Sequence, residues 1–348
     1  MTRPYRVALS ADFRLSGGAP AYPDFDLTPL FGDPRIEVTW LPAGERIRSG
    51  DIEDTDALVL LVPRFDADSL PASGRLGLVA RFGVGYDSVD VAACSAAGVA
   101  VSITPDGVRR PVAQAILTLL LALAGRLMTK DRITRAGPDG FHTRSRHMGT
   151  GLVGRTLASV GMGNIGAEMF RLAGPFGMHH IAHDPVADPA RAAELGVELV
   201  ALDELFRRGD FVTLNCPLNP GTRGLVDARR LALMRPNAFL INTARGPVVD
   251  QTALVEALRE RRIAGAGLDV FDPEPPPADD PILTLDNVIL APHALAWTDQ
   301  CFAGIGESVL RSVRAVLSGE TPAYLVDPSV RTDPRYVRRL AANLARAG

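Results

Sequence analysis

The chain has 348 residues, more than one ordinary hydrophobic core accommodates, so two domains are expected. Its 47% hydrophobic and 22% charged residues are typical of a globular protein, and a net charge of −3 gives no electrostatic reason to expect nucleic acid or an anionic membrane as partner. The three cysteines are scattered without a Cys-x-x-Cys pair, which argues against a disulfide framework and favours a reducing compartment.

No targeting or membrane segment is predicted. The N-terminal stretch MTRPYRVALSADFR lacks the apolar core of a signal peptide. The most apolar run, residues 115–125, is shorter than a bilayer-spanning helix and follows Pro111, a residue typical of a helix start. We therefore expect a cytoplasmic protein that binds neither membrane nor nucleic acid.

The first hundred residues alternate short β-rich runs with segments rich in Gly, Pro and Asp. Five strands are predicted, in the order RVALS, EVTW, ALVLLV, LVARF and VAVSI. A long, largely buried helix is predicted next over residues 111–127, and a polar surface connection over residues 129–151.

A second series of strands follows, reading RTLASVG, MHHIAHD, VELVA, DFVTLNC, NAFLINTA, GAGLDVF and NVILAPH. Strands that alternate with helical patterns are typical of parallel α/β sheets. The helix predicted near 302–317 and the segment PAYLVDP have no sheet of their own, so the C-terminal part is expected to return to the first domain. We predict a discontinuous domain of residues 1–108 and 298–348, with a second domain, residues 109–297, inserted into it.

A glycine-rich loop opens the second series. In LASVGMGNIGAEMF, Gly161 permits a tight turn after a strand, Gly163 lets the backbone approach a pyrophosphate, and Gly166 lets the next helix pack closely. The strand that follows ends in Asp184, which can accept both ribose hydroxyls and would repel a 2′-phosphate, favouring NAD over NADP. A structural turn with a surface Asp is the alternative. We predict two doubly wound parallel-sheet domains, a Rossmann domain inserted into a flavodoxin-like substrate domain.

Three histidines near Asp184 raise the question of a metal. On a strand, His179 and His183 share a face and His180 points away, and no cysteine or second carboxylate converges with them in the sequence. No metal site is predicted.

Three later strands of the inserted domain end in side chains suited to catalysis. The run LINTARGPVVD carries Arg245, GLDVFDPEPPP carries Asp269 and Glu274, and NVILAPH carries His293. Ligands of a doubly wound sheet bind outside the carboxyl ends of its strands, so these side chains are expected to converge.

Their chemical types fit one reaction. A guanidinium can hold the carboxylate of a 2-keto acid through paired hydrogen bonds. An imidazole can give a proton to the keto oxygen or take it back, and a carboxylate beside it fixes its tautomer and stabilises its protonated form. Taken singly, each residue also fits a role without catalysis: Arg245 as a surface residue, Glu274 as the cap of a loop and His293 as a structural residue.

At this point the sequence resembles a known family, the D-isomer-specific 2-hydroxyacid dehydrogenases. The resemblance runs in order through RFGVGYDSVD, VGMGNIG, HDP, NCPLNPGTRGLVD, NTARGPVVD, GLDVFDPEP and APH, covering roughly residues 75–300. It implies an NAD-dependent enzyme acting on a small 2-hydroxy or 2-keto acid of the glyoxylate, hydroxypyruvate or phosphoglycerate kind. It also implies a homodimer joined through the cofactor domains.

The resemblance assigns roles to individual positions. Arg245 is implied as the carboxylate-binding residue, His293 as the acid/base and Glu274 as its partner, with the backbone of Val84 and Gly85 as a substrate loop. The implied cofactor positions are Gly161, Gly163, Asn164, Ile165 and Gly166 at the pyrophosphate, Asp184 at the ribose, Cys216, Pro217 and Thr222 towards the adenine, and Thr243, Ala244 and Asp269 at the nicotinamide.

Three features depart from the family pattern. Gln114 and Ala115 stand where the family usually carries an acidic residue and often a His. Leu295 and Trp297 follow His293 where small glycines are common, so Trp297 either lines the substrate pocket or packs at a helix start. The segment between the first two strands is long, and its loop is a candidate for shaping specificity.

Two other functions remain open on the sequence alone. The same fold resembles NAD(H)-sensing corepressors that bind peptides, although the long disordered tails expected for docking partners are absent. The second function is the oxidation of formate or phosphite on the same scaffold. It would need a different role for His293, since neither substrate has an alcohol to deprotonate.

Overall fold

The structure is a computed structural model that describes residues 3–347. The chain forms two compact units: one takes in the chain up to Val108 and again from Trp297 onward, and the other spans Arg109–Ala296. The roles of substrate and cofactor domain that the sequence suggested for these two parts remain predictions.

The first unit is built on a parallel sheet of five strands. The strands are β1 (Tyr5–Leu9), β2 (Ile36–Trp40), β3 (Ala57–Leu60), β4 (Leu78–Arg81) and β5 (Ala100–Ser102). Their order in the sheet is β2-β1-β3-β4-β5, with β1 paired to β2 and β3 through Val7 opposite Val38 and Ala57. This is the flavodoxin-like order, and it confirms the fold class predicted for this part of the chain.

The second unit is built on a parallel sheet of seven strands. The strands are β6 (Thr156–Val160), β7 (His179–His183), β8 (Val197–Leu199), β9 (Phe211–Leu214), β10 (Phe239–Asn242), β11 (Gly265–Leu268) and β12 (Val288–Leu290). Their order is β12-β11-β10-β9-β6-β7-β8, so the direction of winding reverses between β6 and β9. This is the Rossmann order, and the reversal is the place where such sheets bind ligands.

In the part of the chain that the structure describes, twelve α-helices connect and flank the strands. They are α1 (Thr28–Phe31), α2 (Val91–Ala96), α3 (Pro105–Gly125), α4 (Leu127–Arg135), α5 (Gly137–Phe141), α6 (Asn164–Ala173), α7 (Pro189–Glu194), α8 (Leu202–Arg208), α9 (Ala228–Leu231), α10 (Gln251–Arg259), α11 (Asp299–Leu317) and α12 (Pro334–Ala347). The stretch over residues 129–151, predicted to be a surface connection, has no buried residue, and about half of it forms α4 and α5.

Helix α3 begins earlier than the sequence suggested. Its first residue is Pro105, and Pro111 lies inside the helix instead of starting it. Proline is well tolerated in the first turn, so Pro105 supplies the start signal that was assigned to Pro111. Gly107 allows this first part of the helix to touch α11, since a Cβ there would lie 2.3 Å from the backbone nitrogen of Ile305.

By length and composition α3 is the one described helix that could cross a membrane, contrary to the expectation that the run is too short. However, 61% of its most apolar window is buried inside the structure. Its side chains pack on the seven-stranded sheet, where a Cβ on Gly267 would lie 3.1 Å from that of Leu119. The apolar side chains of α3 therefore form part of the hydrophobic core against the seven-stranded sheet.

Candidate active site

The turn after β6 requires glycine. Gly161 has φ of 95°, its N–H donates to the carbonyl of His183 at 2.8 Å, and a Cβ there would lie 2.7 Å from the carbonyl oxygen of Asn215. Any larger residue would be strained and would push the β9 loop away. The turn therefore sits directly at the reversal between β6 and β9.

The next two glycines shape a cradle at the start of α6. A Cβ on Gly166 would lie 2.5 Å from the carbonyl oxygen of Gly161, so this glycine permits close packing of the helix on the turn. At Gly163 no described atom lies within 4 Å of such a Cβ, so the space above its backbone is open. The first amides of α6, from Asn164 to Gly166, have no acceptor within the helix and carry the positive end of its dipole. This open, amide-lined cradle fits the pyrophosphate of NAD.

Asp184, at the end of β7, is fixed against the glycine loop. One carboxylate oxygen accepts the backbone N–H of Met162 at 2.8 Å, and the other accepts that of Val186 at 3.0 Å. Each carboxylate oxygen can accept more than one hydrogen bond, so both remain able to accept from a ribose. The position fits the predicted contact with the ribose hydroxyls.

The predicted adenine-side residues form the loop after β9. The backbone nitrogen of Cys216 lies against the turn at Gly161, and burial raises the pKa of the Cys216 thiol to about 11. The hydroxyl of Thr222 donates to the carbonyl of Pro217 at 2.6 Å, which closes the loop on itself. The structure thus brings Cys216 beside the glycine turn, with Pro217 and Thr222 further along the same loop.

A buried asparagine organises the loop after β10, a role that the sequence reasoning missed. Asn242 accepts the N–H of Ala244 at 3.0 Å and donates its amide to the carbonyl of Arg245 at 2.9 Å. Its position as a buried polar residue at a strand end was the available signal. The neighbouring Thr243 hydroxyl is buried without a hydrogen-bond partner in the described part of the chain, which fits a contact with a bound group.

Arg245 follows in extended conformation, with one guanidinium nitrogen donating to the carbonyl of Ala244 at 2.7 Å. The next residue, Gly246, lies so close to the β11 loop that a Cβ would lie 1.7 Å from the carbonyl oxygen of Phe271. This contact joins the loop of Arg245 to the loop that carries Glu274.

His293 and Glu274 form a hydrogen-bonded pair. The Nδ1 atom of His293 lies 2.5 Å from Oε1 of Glu274, and the side chains are 43% and 37% exposed. Burial alone raises the pKa of Glu274, but the hydrogen bond and charge of His293, together with the charge of Arg245, lower it below its ordinary value. The carboxylate is therefore the stable form, and with Nδ1 engaged the imidazole keeps Nε2 for a substrate.

Asp269 holds the backbone that presents His293. Its buried carboxylate accepts the N–H groups of Ala294 at 3.0 Å and Leu295 at 3.2 Å. His293 itself has φ of 54°, which is uncommon for a residue other than glycine and needs support from its surroundings. Burial raises the pKa of Asp269, although the two backbone hydrogen bonds act in the other direction. The sequence suggested Asp269 as a cofactor contact and did not predict this positioning role.

The remaining predicted residues lie elsewhere. Val84 and Gly85 belong to the first unit, in the partly exposed loop after β4, where Gly83 donates its N–H to the hydroxyl of Thr104 at 2.9 Å. Of the histidines on β7, His183 bonds the carbonyl of Val200 at 3.0 Å and His180 packs on Phe170. Within residues 3–347, no group of three His, Cys, Asp or Glu side chains is placed to hold a metal ion.

Comparisons with known proteins agree with this geometry. A sequence model of the family "D-isomer specific 2-hydroxyacid dehydrogenase, NAD binding domain" matches residues 117–294. The chain is 40% identical over 292 residues to a glyoxylate reductase of Korarchaeum cryptofilum, covering 83% of this chain and 88% of that protein.

Two further relatives extend the comparison. A D-3-phosphoglycerate dehydrogenase of Mycobacterium leprae is 39% identical over 288 residues, which are 82% of this chain but 54% of that longer protein. The solved structure of a glyoxylate reductase from Paecilomyes thermophila superposes with a TM-score of 0.80 at 29% identity, covering 94% of this chain and 99% of the other.

Proposed function

The chain belongs to the D-isomer-specific 2-hydroxyacid dehydrogenases and is an NAD-dependent enzyme of that family, and we propose from this premise that Arg245, His293 and Glu274 carry the reduction of a 2-keto acid. The observation that supports this most directly is the 2.5 Å contact between His293 and Glu274, formed in a loop system that also holds Arg245. The glyoxylate reductase and D-3-phosphoglycerate dehydrogenase relatives, at 40% and 39% identity, support an enzyme over the corepressor alternative.

Each side chain has a distinct task in the proposed reaction. The guanidinium of Arg245 binds the substrate carboxylate and orients the keto group. When bound, NADH supplies the hydride that adds to C2. The protonated imidazole of His293 gives its Nε2 proton to the keto oxygen and becomes neutral, so that the product is the 2-hydroxy acid. Glu274 stabilises the imidazolium before transfer, and Asp269 keeps the imidazole in place.

The cofactor tasks fall to the residues around the glycine turn. We infer that the amides of Asn164, Ile165 and Gly166 bind the pyrophosphate above Gly163, and that Asp184 accepts the ribose hydroxyls. Thr243 has a buried hydroxyl available for the nicotinamide end. A carboxylate at position 184 favours NADH over NADPH, because a 2′-phosphate would meet a fixed negative charge.

The test is an assay of purified protein with NADH and glyoxylate, hydroxypyruvate and 3-phosphohydroxypyruvate, which represent the substrates named for the relatives and their close analogues. Turnover of at least one 2-keto acid, lost in Arg245→Ala, is the expected result. If Arg245→Ala and His293→Ala both retain wild-type activity, the assigned roles are wrong. If the protein turns over only formate or phosphite, the proposed reduction of a 2-keto acid is wrong and the protein oxidises one of these substrates instead.

We also propose that the protein is a homodimer through its second unit. Exposed apolar side chains concentrate on α3 to α5 and the segment after them: Leu121, Leu127, Met128, Phe141, Met148 and Val153. Large apolar patches mark interaction surfaces, and a two-fold pairing of identical patches is the commonest solution. Light scattering after size exclusion should give the dimer mass, and the double variant Leu127→Glu, Phe141→Glu should run as a monomer. A monomeric wild type would overturn the proposal.

The compartment we propose is the cytoplasm. All three cysteines are free, and Cys94 and Cys301 are buried. Burial raises the pKa of Cys94 to about 12 and that of Cys301 to about 11, so neither is reactive at neutral pH. Fractionation of the source cells with detection of the protein would test this location, and recovery from a secreted fraction would contradict it.

A further inference from the structure

The loop that carries Glu274 has few backbone groups with which to hold itself in place. Residues 273–277 read PEPPP, so four of these five residues are prolines and have no backbone N–H. We call residues 271–280 the proline loop. Its backbone closes a turn at the far end, where the N–H of Asp280 donates to the carbonyl of Pro277 at 3.0 Å. A loop of this composition needs side chains from elsewhere to fix its position, and it bears the carboxylate that pairs with His293.

The side chain of Gln251 bonds the proline loop on both sides of Glu274. Its Oε1 atom accepts the backbone N–H of Asp272 at 3.1 Å, and its Nε2 atom donates to Oδ2 of Asp280 at 2.7 Å. Asp272 lies before Glu274 in the sequence and Asp280 lies after it. One carboxamide therefore fixes both flanks of the segment that presents the carboxylate of Glu274.

The two partners of Gln251 require an amide at this position. A backbone N–H can only donate and an ionised carboxylate can only accept, so the side chain between them must supply one acceptor and one donor. A glutamate would supply no donor, and a lysine would supply no acceptor. The carboxylate of Asp280 is itself held, because its Oδ1 atom accepts the N–H of Ile282 at 2.9 Å.

Helix α10 presents Gln251 without using its side chain to begin the helix. The preceding residue, Asp250, caps α10 by accepting the N–H of Ala253 at 3.0 Å. The backbone N–H of Asp250 donates to the carbonyl of Val226 at 3.0 Å, which fixes the start of the helix from outside. Gln251 is the first helical residue and is partly buried. Its side chain thus extends from a fixed element to the proline loop.

The charges around His293 show what depends on the position of this loop. The carboxylates of Glu274 and Asp269 both face the imidazole, and the guanidinium of Arg245 faces Glu274. Asp269 directly follows β11 and is held by the backbone after His293. Glu274 is the member of this group that lies on the proline loop. A displacement of the loop would therefore remove one of the two negative charges beside the imidazole and leave the other in place.

We propose that Gln251 is a positioning residue of the reaction: by bonding Asp272 and Asp280, it keeps the carboxylate of Glu274 against Nδ1 of His293. The inference rests on the proposed function, because it assumes that His293 gives the proton and that Glu274 stabilises the imidazolium. Gln251 acts through the proline loop and has no chemical role of its own.

The first test compares Gln251→Ala with the wild type in the NADH-dependent reduction of whichever 2-keto acid the wild type turns over fastest, from acidic to alkaline pH. The value of kcat/KM at neutral pH should fall about tenfold, because Glu274 is no longer held in place. The pH at which the reduction falls to half of its maximum should move about one unit lower, since an imidazolium without its carboxylate loses its proton more readily. A loss of rate with an unchanged pH dependence would assign Gln251 a structural role alone and overturn the inference.

An exchange of donor and acceptor provides a second test, which does not depend on the folding of Gln251→Ala. Gln251→Glu alone places a carboxylate against that of Asp280 and should lower kcat/KM. Combining it with Asp280→Asn reverses the two roles: the new amide donates to the new carboxylate, and its oxygen still accepts the N–H of Ile282. The double variant should recover most of the wild-type rate and its pH dependence. A double variant no more active than Gln251→Glu would contradict the inference.

A double-mutant cycle shows whether Gln251 acts through Glu274. In the background of Glu274→Gln, Gln251→Ala should cause no further loss, because the charge that it positions is already gone. The control is Thr252→Ala, a change at an exposed residue of the same helical turn, which should leave the rate and its pH dependence at wild-type values.

The cycle also separates failure of the inference from failure of the proposed function. If Gln251→Ala lowers the rate equally in the wild type and in Glu274→Gln, Gln251 acts elsewhere and the inference is wrong, while the proposed function stands. If the wild type reduces no 2-keto acid, or if Glu274→Gln leaves the rate unchanged, the proposed function or its role for Glu274 fails first.

Discussion

At the carboxyl edge of the seven-stranded sheet the proposed catalytic side chains are fixed by hydrogen bonds, whereas at the same edge of the five-stranded sheet rings pack on rings. In the first case Asp269 bonds the backbone after His293, and Glu274 bonds its imidazole. In the second, Tyr22 stacks on Phe302 and leaves Trp297 half exposed. The two edges share parallel topology but use different forces.

This difference separates two ways of holding side chains in place. Directional hydrogen bonds place a charge or a proton to within a fraction of an ångström, which the chemical step needs for every substrate alike. Apolar contacts are less directional and scale with the area of the group that they cover. We therefore expect changes at the carboxyl edge of the seven-stranded sheet to affect all substrates of the proposed reaction equally, and changes among the rings of the five-stranded unit to affect stability.

The largest effect is expected from His293→Ala. Loss of the proton donor should lower kcat about 10²- to 10⁴-fold, by a similar factor for small and bulky 2-keto acids, because every substrate needs the same proton. Steady-state rates with glyoxylate and phenylpyruvate would measure it. A loss confined to one of these two acids would contradict the role of His293 as the proton donor for every substrate.

A smaller loss of activity is expected from substitution of Asp269. Comparing the alanine and asparagine variants distinguishes the positioning of the backbone from the effect of the charge. Asp269→Ala leaves the amides of Ala294 and Leu295 without their acceptor, which should cost about 1–3 kcal/mol in the free energy of unfolding and lower kcat for all substrates. Asp269→Asn keeps an acceptor oxygen and should retain most of the activity.

The asparagine variant also tests the raised pKa of Asp269. A native carboxyl with a raised pKa binds its proton before the unfolded chain does, so its contribution to stability increases as pH falls towards the ordinary value of 3.8. Denaturant unfolding at several acidic pH values should show the stability difference between wild type and Asp269→Asn shifting in favour of the wild type as pH falls. The same slope in both proteins would contradict it.

Among the rings of the five-stranded unit, Tyr22→Leu should lower the free energy of unfolding. It removes the ring that stacks on Phe302 and meets Trp297 edge to face, and each such aromatic pair contributes about 0.5–1.5 kcal/mol. Phe31→Leu replaces an exposed ring of the same unit by the same leucine, so it is the control and should have a smaller effect. Urea unfolding would measure both, and equal losses in the two variants would contradict a stabilising role of the Tyr22 ring.

The same contrast explains what the sequence could predict. All twelve strands of the described residues were predicted from short β-rich runs that alternate with helical patterns. The convergence of Arg245, Glu274 and His293 was anticipated because these chemically distinctive side chains follow strands of one parallel sheet. Their roles in the reaction remain predictions. Asn242 escaped notice, since its two hydrogen bonds are local and carry no spacing pattern.

The contacts among the rings of Tyr22, Trp297 and Phe302 could not be derived in this way. Tyr22 and Trp297 are 275 positions apart in the sequence, and nothing in the local pattern of either indicates that their rings meet. The start of α3 was missed for a related reason: two prolines, at 105 and 111, both fit a first turn, and only the packing of Gly107 on α11 selects the earlier one.

The smallest effect is expected from Glu168 on helix α6, which has no assigned role in the proposed reaction. Glu168 accepts hydrogen bonds from Arg171 at 2.7 Å and Arg110 at 2.9 Å. The hydrogen bond of Arg171 is the largest cause that lowers the pKa of Glu168, to about 2, with Arg110 adding to it. The carboxylate is 12% exposed, but its partners are 48% and 54% exposed, so solvent screens much of the attraction.

Glu168→Gln should therefore lower the free energy of unfolding by about 1 kcal/mol at neutral pH, without changing substrate preference. The stabilisation from a carboxyl with a lowered pKa is complete above the ordinary value of 4.5 and is lost as pH falls towards 2, so the difference between variant and wild type should shrink over that range. Urea unfolding from pH 7 down to about pH 3 would measure it. Asp131→Asn, in the exposed ion pair with Arg135, is the control and should show a smaller difference throughout. A difference for Glu168→Gln that grows as pH falls would reverse the sign, and with it the conclusion that the two arginines stabilise the charged form.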